Sequence, residues 1–132
     1  MADVDLLERA RRMLASAMHL DATGDAPGAA GLAFQAADLA MKALTIAIDG
    51  SDAGSHQARM RRARQLVEAD PSALELLWEM RQRDFYGDAM VGGDVHLPGD
   101  AQVREALVVA AALIDKIAAA IADARESSGA SE

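Results

Sequence analysis

At 132 residues, with no Cys and a net charge of −8, the chain has room for one domain and none for disulfides, thiolate metal sites or a thiol nucleophile. Its acidity argues against bulk DNA binding over the whole surface. It holds 31 Ala against 28 Leu, Ile, Val and Phe, a large-aliphatic share of about 21%, just above the roughly 20% below which chains tend to disorder. The core must therefore rely on Ala and stands to gain from a partner subunit.

The N-terminus, MADVDLLERARRM, has early acids and no apolar run of the kind that makes a signal peptide. A first helix is expected from about Val4 to Leu20, with Asp5 and Glu8 at capping-box spacing and Leu7, Leu14 and Met18 on one face. The turn-forming residues Asp21 to Pro27 end it. A second helix, about Gly28 to Ile48, places Gln35, Asp38, Lys42, Thr45 and Asp49 at spacings of 3, 4, 3 and 4, so they form one narrow stripe. The rest of that helix is apolar or small, which marks it as the central helix of a bundle.

After the loop Asp49 to Gly54, a third helix spans about Ser55 to Ala69. Met60, Ala63 and Val67 give it an apolar side, and Arg59, Arg61, Arg62 and Arg64 fill much of the rest. This Arg cluster, with Arg9, Arg11 and Arg12, is either a solvated face or a local patch for RNA phosphates or an acidic partner. Asp70-Pro71 reads as an N-cap followed by proline at the first helical position. The fourth helix, about Ser72 to Phe85, sets Leu74, Leu77, Trp78 and Phe85 on one face, where Trp78 and Phe85 read as core. Arg81 falls on the same face. A guanidinium there must pair with an acid, snorkel or line a groove, because its unpartnered burial is costly.

Gly87 and residues 91–99 break the pattern. A last helix, about Asp100 to Arg125, repeats Val103, Leu107, Ala110, Ile114, Ile117 and Ile121 as a bundle seam. The longest apolar stretch, Ala106 to Ile114, stops at Asp115-Lys116, short of the ~20 residues a membrane span needs. The expected organisation is all-α, a four- to five-helix up-and-down bundle over residues 1–125 with a flexible tail at 126–132, cytoplasmic and without membrane contact.

Several chemistries lack their residues. None of His19, His56 or His96 follows a Glu by three positions, so a carboxylate-bridged di-metal site is not expected. Phosphate-loop, dinucleotide-fold and nucleophile-elbow motifs are missing. No cofactor and no metal are expected.

The order of elements carries one resemblance. The helix segment Phe34-Gln35-Ala36-Ala37-Asp38-Leu39-Ala40-Met41-Lys42-Ala43-Leu44 is followed by Ser55-His56. Two helices later comes Arg81-Gln82-Arg83-Asp84-Phe85-Tyr86-Gly87-Asp88, and then a long apolar helix. From about Leu6 to Ile121 the chain resembles the HEPN domain. That resemblance implies a homodimer, RNA or nucleotide binding, and a nucleotidyltransferase-type partner in a toxin–antitoxin pair.

Catalytic members of that family are metal-independent ribonucleases with Arg-x4-6-His in a cleft between subunits. Arg81 matches the Arg, but Tyr86 stands where His would. A phenol with a pKa near 10 is a poor proton shuttle at neutral pH. The leading expectation is a non-catalytic or weakly active HEPN-like binding protein, with Arg81 and Tyr86 at the site and His56, Arg59, Arg62 and Arg83 contacting the ligand. A ribonuclease toxin with an altered site and a purely structural interaction module are the alternatives.

Overall fold

The computed structural model describes residues 2–86 and 99–130, with side chains for 2–80 and 99–127. Among the described residues the chain forms five helices: α1 (Ala2–Ala22), α2 (Ala26–Asp49), α3 (His56–Val67), α4 (Pro71–Tyr86) and α5 (Asp100–Ala130). They form the expected all-α bundle. The last helix extends past the expected end at Arg125 to Ala130.

The turn between α1 and α2 is shorter than its composition implies, because one residue serves both helices. Gly24 takes φ +94°. Its N–H donates to Asp21 O (3.2 Å), and the N–H of Asp25 donates to Leu20 O (2.8 Å). That pair of bonds is a Schellman ending. Asp25 is also the N-cap of α2, its side chain accepting from the Gly28 N–H at 3.0 Å. A Cβ on Gly28 would come within 2.4 Å of the Asp25 carboxylate, so glycine at 28 leaves room for the cap. A connection this tight forces α1 and α2 into an antiparallel hairpin.

α2 is the centre of the bundle and packs against α1, α3, α4 and α5. Ala29, Ala30, Ala33, Ala36, Ala37, Ala40 and Ala43 are fully buried along it, beside Met41 and Leu44. Small side chains let neighbouring helices approach closely, so the dense interior is built from many short contacts instead of large apolar residues. By length and composition alone α2 would suit a membrane span. In the fold 61% of that apolar window is buried, packed against the other four helices.

The seam read for α5 is the buried one: Val103, Leu107, Ala110, Ile114, Ile117 and Ile121 all lie inside. α4 buries Leu74, Leu77 and Met80, whereas Trp78 is only half-buried. Its interior face is thus turned slightly from the face that spacing indicates. Phe85 belongs to the residues whose side chains lie outside the described set. Asp70 caps α4 as expected, accepting from the Ser72 N–H at 3.0 Å.

α3 differs from the rest. It has 12 residues and its buried side chains are Ala63 and Arg59 alone. So short a helix is marginal by itself in water, and one alanine buries little apolar area. Its placement requires another anchor.

Candidate functional site

That anchor is the polar stripe of α2. Asp38, nearly buried in the middle of that stripe, receives the guanidinium of Arg59. Arg59 Nε donates to Asp38 Oδ1 at 2.9 Å and its NH2 group to Oδ2 at 3.2 Å. The NH1 group donates to both oxygens of Asp52, at 3.0 and 3.1 Å. Arg59 therefore meets two carboxylates, one from α2 and one from the α2–α3 loop. Such charge-assisted, two-pronged bonds are among the strongest a side chain makes.

Local sequence explains the aim of this group. Gly50, at φ +83°, closes α2 by donating its N–H to Ile46 O at 3.1 Å. Ser55 then caps α3, its Oγ accepting from the Ala58 N–H at 3.1 Å. This sets His56 at the first helical position with Arg59 three residues on, and residues at that spacing share a face. Both reach Asp38: His56 Nδ1 lies 2.8 Å from Asp38 Oδ2, although the approach is not aligned as a hydrogen bond. Nδ1 is buried while the His56 side chain as a whole is 37% exposed, so it is the rest of the ring that water reaches. The ring also meets Phe34 edge-on at 5.3 Å, and Phe34 in turn meets Trp78 at 6.1 Å.

Arg62 makes a second, exposed tie between the same helices, donating to Asp49 at 2.8 and 2.9 Å and to Gln65 Oε1 at 3.0 Å. Asp49 would be unfavourable at the negative end of α2 without that cation. The Arg62 hydrogen bonds hold its carboxyl below the usual carboxylate range. At Asp52 burial pushes the carboxyl up, but the Arg59 hydrogen bond and the Gly54 N–H outweigh it, and the net shift is downward. Arg59 is held protonated beyond an ordinary Arg, first by its bond to Asp38.

The remaining two arginines of α3 face elsewhere. Arg61 and Arg64, with Gln57 and Met60, form one wall of an open groove whose other wall is Pro71, Leu74, Glu75 and Trp78 of α4, enclosing about 480 Å³. Among the described residues neither Arg61 nor Arg64 has an acid within 4.0 Å.

The sequence-derived site residues divide accordingly. His56 and Arg59 come together on Asp38, with the Arg59 donors turned to the protein's own carboxylates. Arg62 sits apart, on Asp49. Arg81, Arg83 and Tyr86 stand on the last turns of α4, and their side chains lie outside the described residues. Asp38, Asp52 and Trp78 carry the geometry and are not among the sequence-derived site residues, and Arg61 and Arg64 enter there only as members of the Arg cluster. The available signal was Asp38 itself, an acid at the middle of the central helix.

The HEPN domain family matches residues 4–120. The crystal structure of TT1696 from Thermus thermophilus superimposes with a TM-score of 0.77 at 26% identity, over 91% of this chain and 99% of that one. No curated protein matches the chain.

The depressed carboxyls make stability depend on acid. Their contribution is complete above the unfolded carboxylate pKa of about 4 and disappears as pH falls through the lower folded values. The urea midpoint of the wild type should exceed that of Asp49→Asn at neutral pH, and the gap should close below about pH 4. A gap that stays constant into acid would show that the Asp49–Arg62 pair does not stabilise the fold.

Proposed function

The chain belongs to the HEPN domain family, and from that premise we propose that it binds single-stranded RNA, without efficient cleavage, through the groove between α3 and α4. The observation that carries this reading is the placing of two guanidiniums, Arg61 and Arg64, which meet no acid within 4.0 Å among the described residues, across one groove from the half-buried indole of Trp78. Arginines neutralise backbone phosphates whatever the sequence, and aromatic faces accept unstacked bases. A groove of this volume lies within the range of ligand sites. The net charge of −8 argues against such binding spread over the whole surface. Arg81, Arg83 and Tyr86 extend the reading along α4, Arg81 following Trp78 by three positions. A nucleotidyltransferase-type partner enters it on the family alone.

Slow cleavage is the second reading, and His56 favours it. Its ring has a carboxylate 2.8 Å from one nitrogen and is otherwise reached by water, so an acid–base residue stands beside a charge at the surface. Tyr86 in place of His weighs against it.

Binding of oligo-uridylate, followed by fluorescence anisotropy with chelator present at about 50 mM salt, tests the proposal. Arg61→Ala/Arg64→Ala should weaken binding roughly tenfold or more and flatten the log–log salt slope by about 1.4, the value for two lost single-strand phosphate contacts. No binding by the wild type, or an unchanged slope, would overturn it. Product analysis of the same mixtures reads cleavage, which in the second reading is lost in His56→Ala.

The dimer expected of the family belongs to this proposal too. α5 leaves Val108 68% exposed, with Ala101, Ala112, Ala119 and Ala122 also exposed along it. Ala69, Ala73 and Leu74 border Val109 and Ala112 in an adjoining shallow groove. A second copy seated there would bury this strip. Sedimentation should give a dimer for the wild type and a folded monomer for Val108→Glu. A wild-type monomer at all concentrations, or a dimer indifferent to that change, would exclude this interface.

A further inference from the structure

The chain neutralises most of its described arginines internally. Arg59 and Arg62 meet acids of α2 and the α2–α3 loop. Arg11, Arg104 and Arg125 meet Asp115, Asp21 and Asp3 in contacts that tie α1 to α5. Among the described residues Arg9, Arg12, Arg61 and Arg64 have no such partner. Arg61 and Arg64 share the α3–α4 groove; Arg9 and Arg12 share a different one.

This second cleft lies between α1 and α2 and encloses about 600 Å³. Ala2, Asp5, Leu6, Arg9 and Arg12 come from α1, and Lys42 and Ile46 from α2. It has no residue in common with the α3–α4 groove. Asp5, Arg9 and Arg12 follow one another at spacings of 4 and 3, which puts them on one face of α1. The antiparallel hairpin brings Lys42, from the polar stripe of α2, to the opposite wall. Lys42 is half-buried and lines this cleft. Its ammonium also helps keep Asp52 ionised. Three cations thus meet one acid, over an apolar lining of Leu6 and Ile46, in a chain whose net charge is −8.

A solvated basic face spreads its charges outward. Here like charges converge on one concavity from two helices, an arrangement whose repulsion an anion relieves. Guanidinium forks match tetrahedral oxyanions through paired hydrogen bonds. Arg9 and Arg12 stand about 4.5 Å apart along the helix axis, at 1.5 Å per residue, and Lys42 faces them. Several phosphate oxygens can be engaged at once. We infer that the α1–α2 cleft is an anion site for a run of linked phosphate groups, formed by Arg9, Arg12 and Lys42. The phosphates come from a free polyphosphate or from a nucleic-acid backbone, and the chemistry of recognition is the same.

Calorimetric titration of the full chain with inorganic tripolyphosphate at about 50 mM salt tests the site. The wild type should bind. Arg9→Ala/Arg12→Ala should lose roughly tenfold or more in affinity, and Arg9→Lys/Arg12→Lys should recover part of it. Both arginines are exposed, so matched thermal melts would show an intact fold. The same affinity comparison in an Arg61→Ala/Arg64→Ala background, which removes any phosphate held in the α3–α4 groove, should show the same loss with Arg9 and Arg12, and this separates the two sites. No heat with the wild type, or equal affinity after loss of Arg9 and Arg12, would overturn the inference. Repeating the series with oligo-uridylate assigns the source. Affinity lost with Arg9 and Arg12 points to a nucleic-acid backbone, and affinity retained points to a free polyphosphate. The tripolyphosphate result stands even where RNA does not bind at all.

Discussion

The pair formed by Asp38 and Arg59 decides where α3 sits, and both proposed edges of that helix follow from it. α3 has too little apolar surface to hold itself against the bundle. A carboxylate placed at the middle of the central helix gives it a fixed point. Taking two charges out of water is expensive, and the attraction between them repays this only with good geometry and further hydrogen bonds. Here Asp52 supplies the further bonds on NH1. Ser55 and Gly50 set the loop so that Arg59 and His56 approach Asp38 from the same face. The site is therefore a consequence of helix capping as much as of charge.

With Arg59 and Arg62 committed to α2, the opposite edge of α3 presents Arg61 and Arg64 to α4. The alternation is a direct result of helical geometry, in which positions 59 and 62 share one side and 61 and 64 another. The division between cations that meet acids and cations that meet none among the described residues thus reads off a single helix. α1 shows the same division: Arg11 turns toward Asp115 of α5, while Arg9 and Arg12 line the cleft with Lys42.

Burial was legible from periodicity in α2 and α5 but not in α1, where Met18, read on one face with Leu7 and Leu14, is 50% exposed and Ala10 and Ala17 are buried instead. The seam of α5 from Val103 to Ile121 and the central position of α2 both follow from the spacing of apolar residues. The turn at Gly24-Asp25 was legible in composition but not in length, because nothing local shows that Asp25 finishes one helix while starting the next. Arg59 illustrates the harder limit. An arginine bonded to its own protein's acid 21 residues away has the same local sequence as one waiting for a ligand. Trp78 poses the same difficulty, since an amphipathic ring at a core spacing can close a core on one side and wall a groove on the other. Both cases depend on which helices become neighbours, and that is a property of the whole fold.

A double-mutant cycle on Asp38 and Arg59 tests most directly whether this pair anchors α3. Unfolding free energies of wild type, Asp38→Asn, Arg59→Met and the double variant would be compared in urea. Arg59→Met should cost about 3–5 kcal/mol, because it strands the nearly buried Asp38, and Asp38→Asn somewhat less, because Arg59 keeps its bonds to Asp52. The double variant should lose well under the sum, leaving a coupling of about 2 kcal/mol or more. Single losses below about 1 kcal/mol that simply add would mean that packing, and not this ion pair, holds α3 in place.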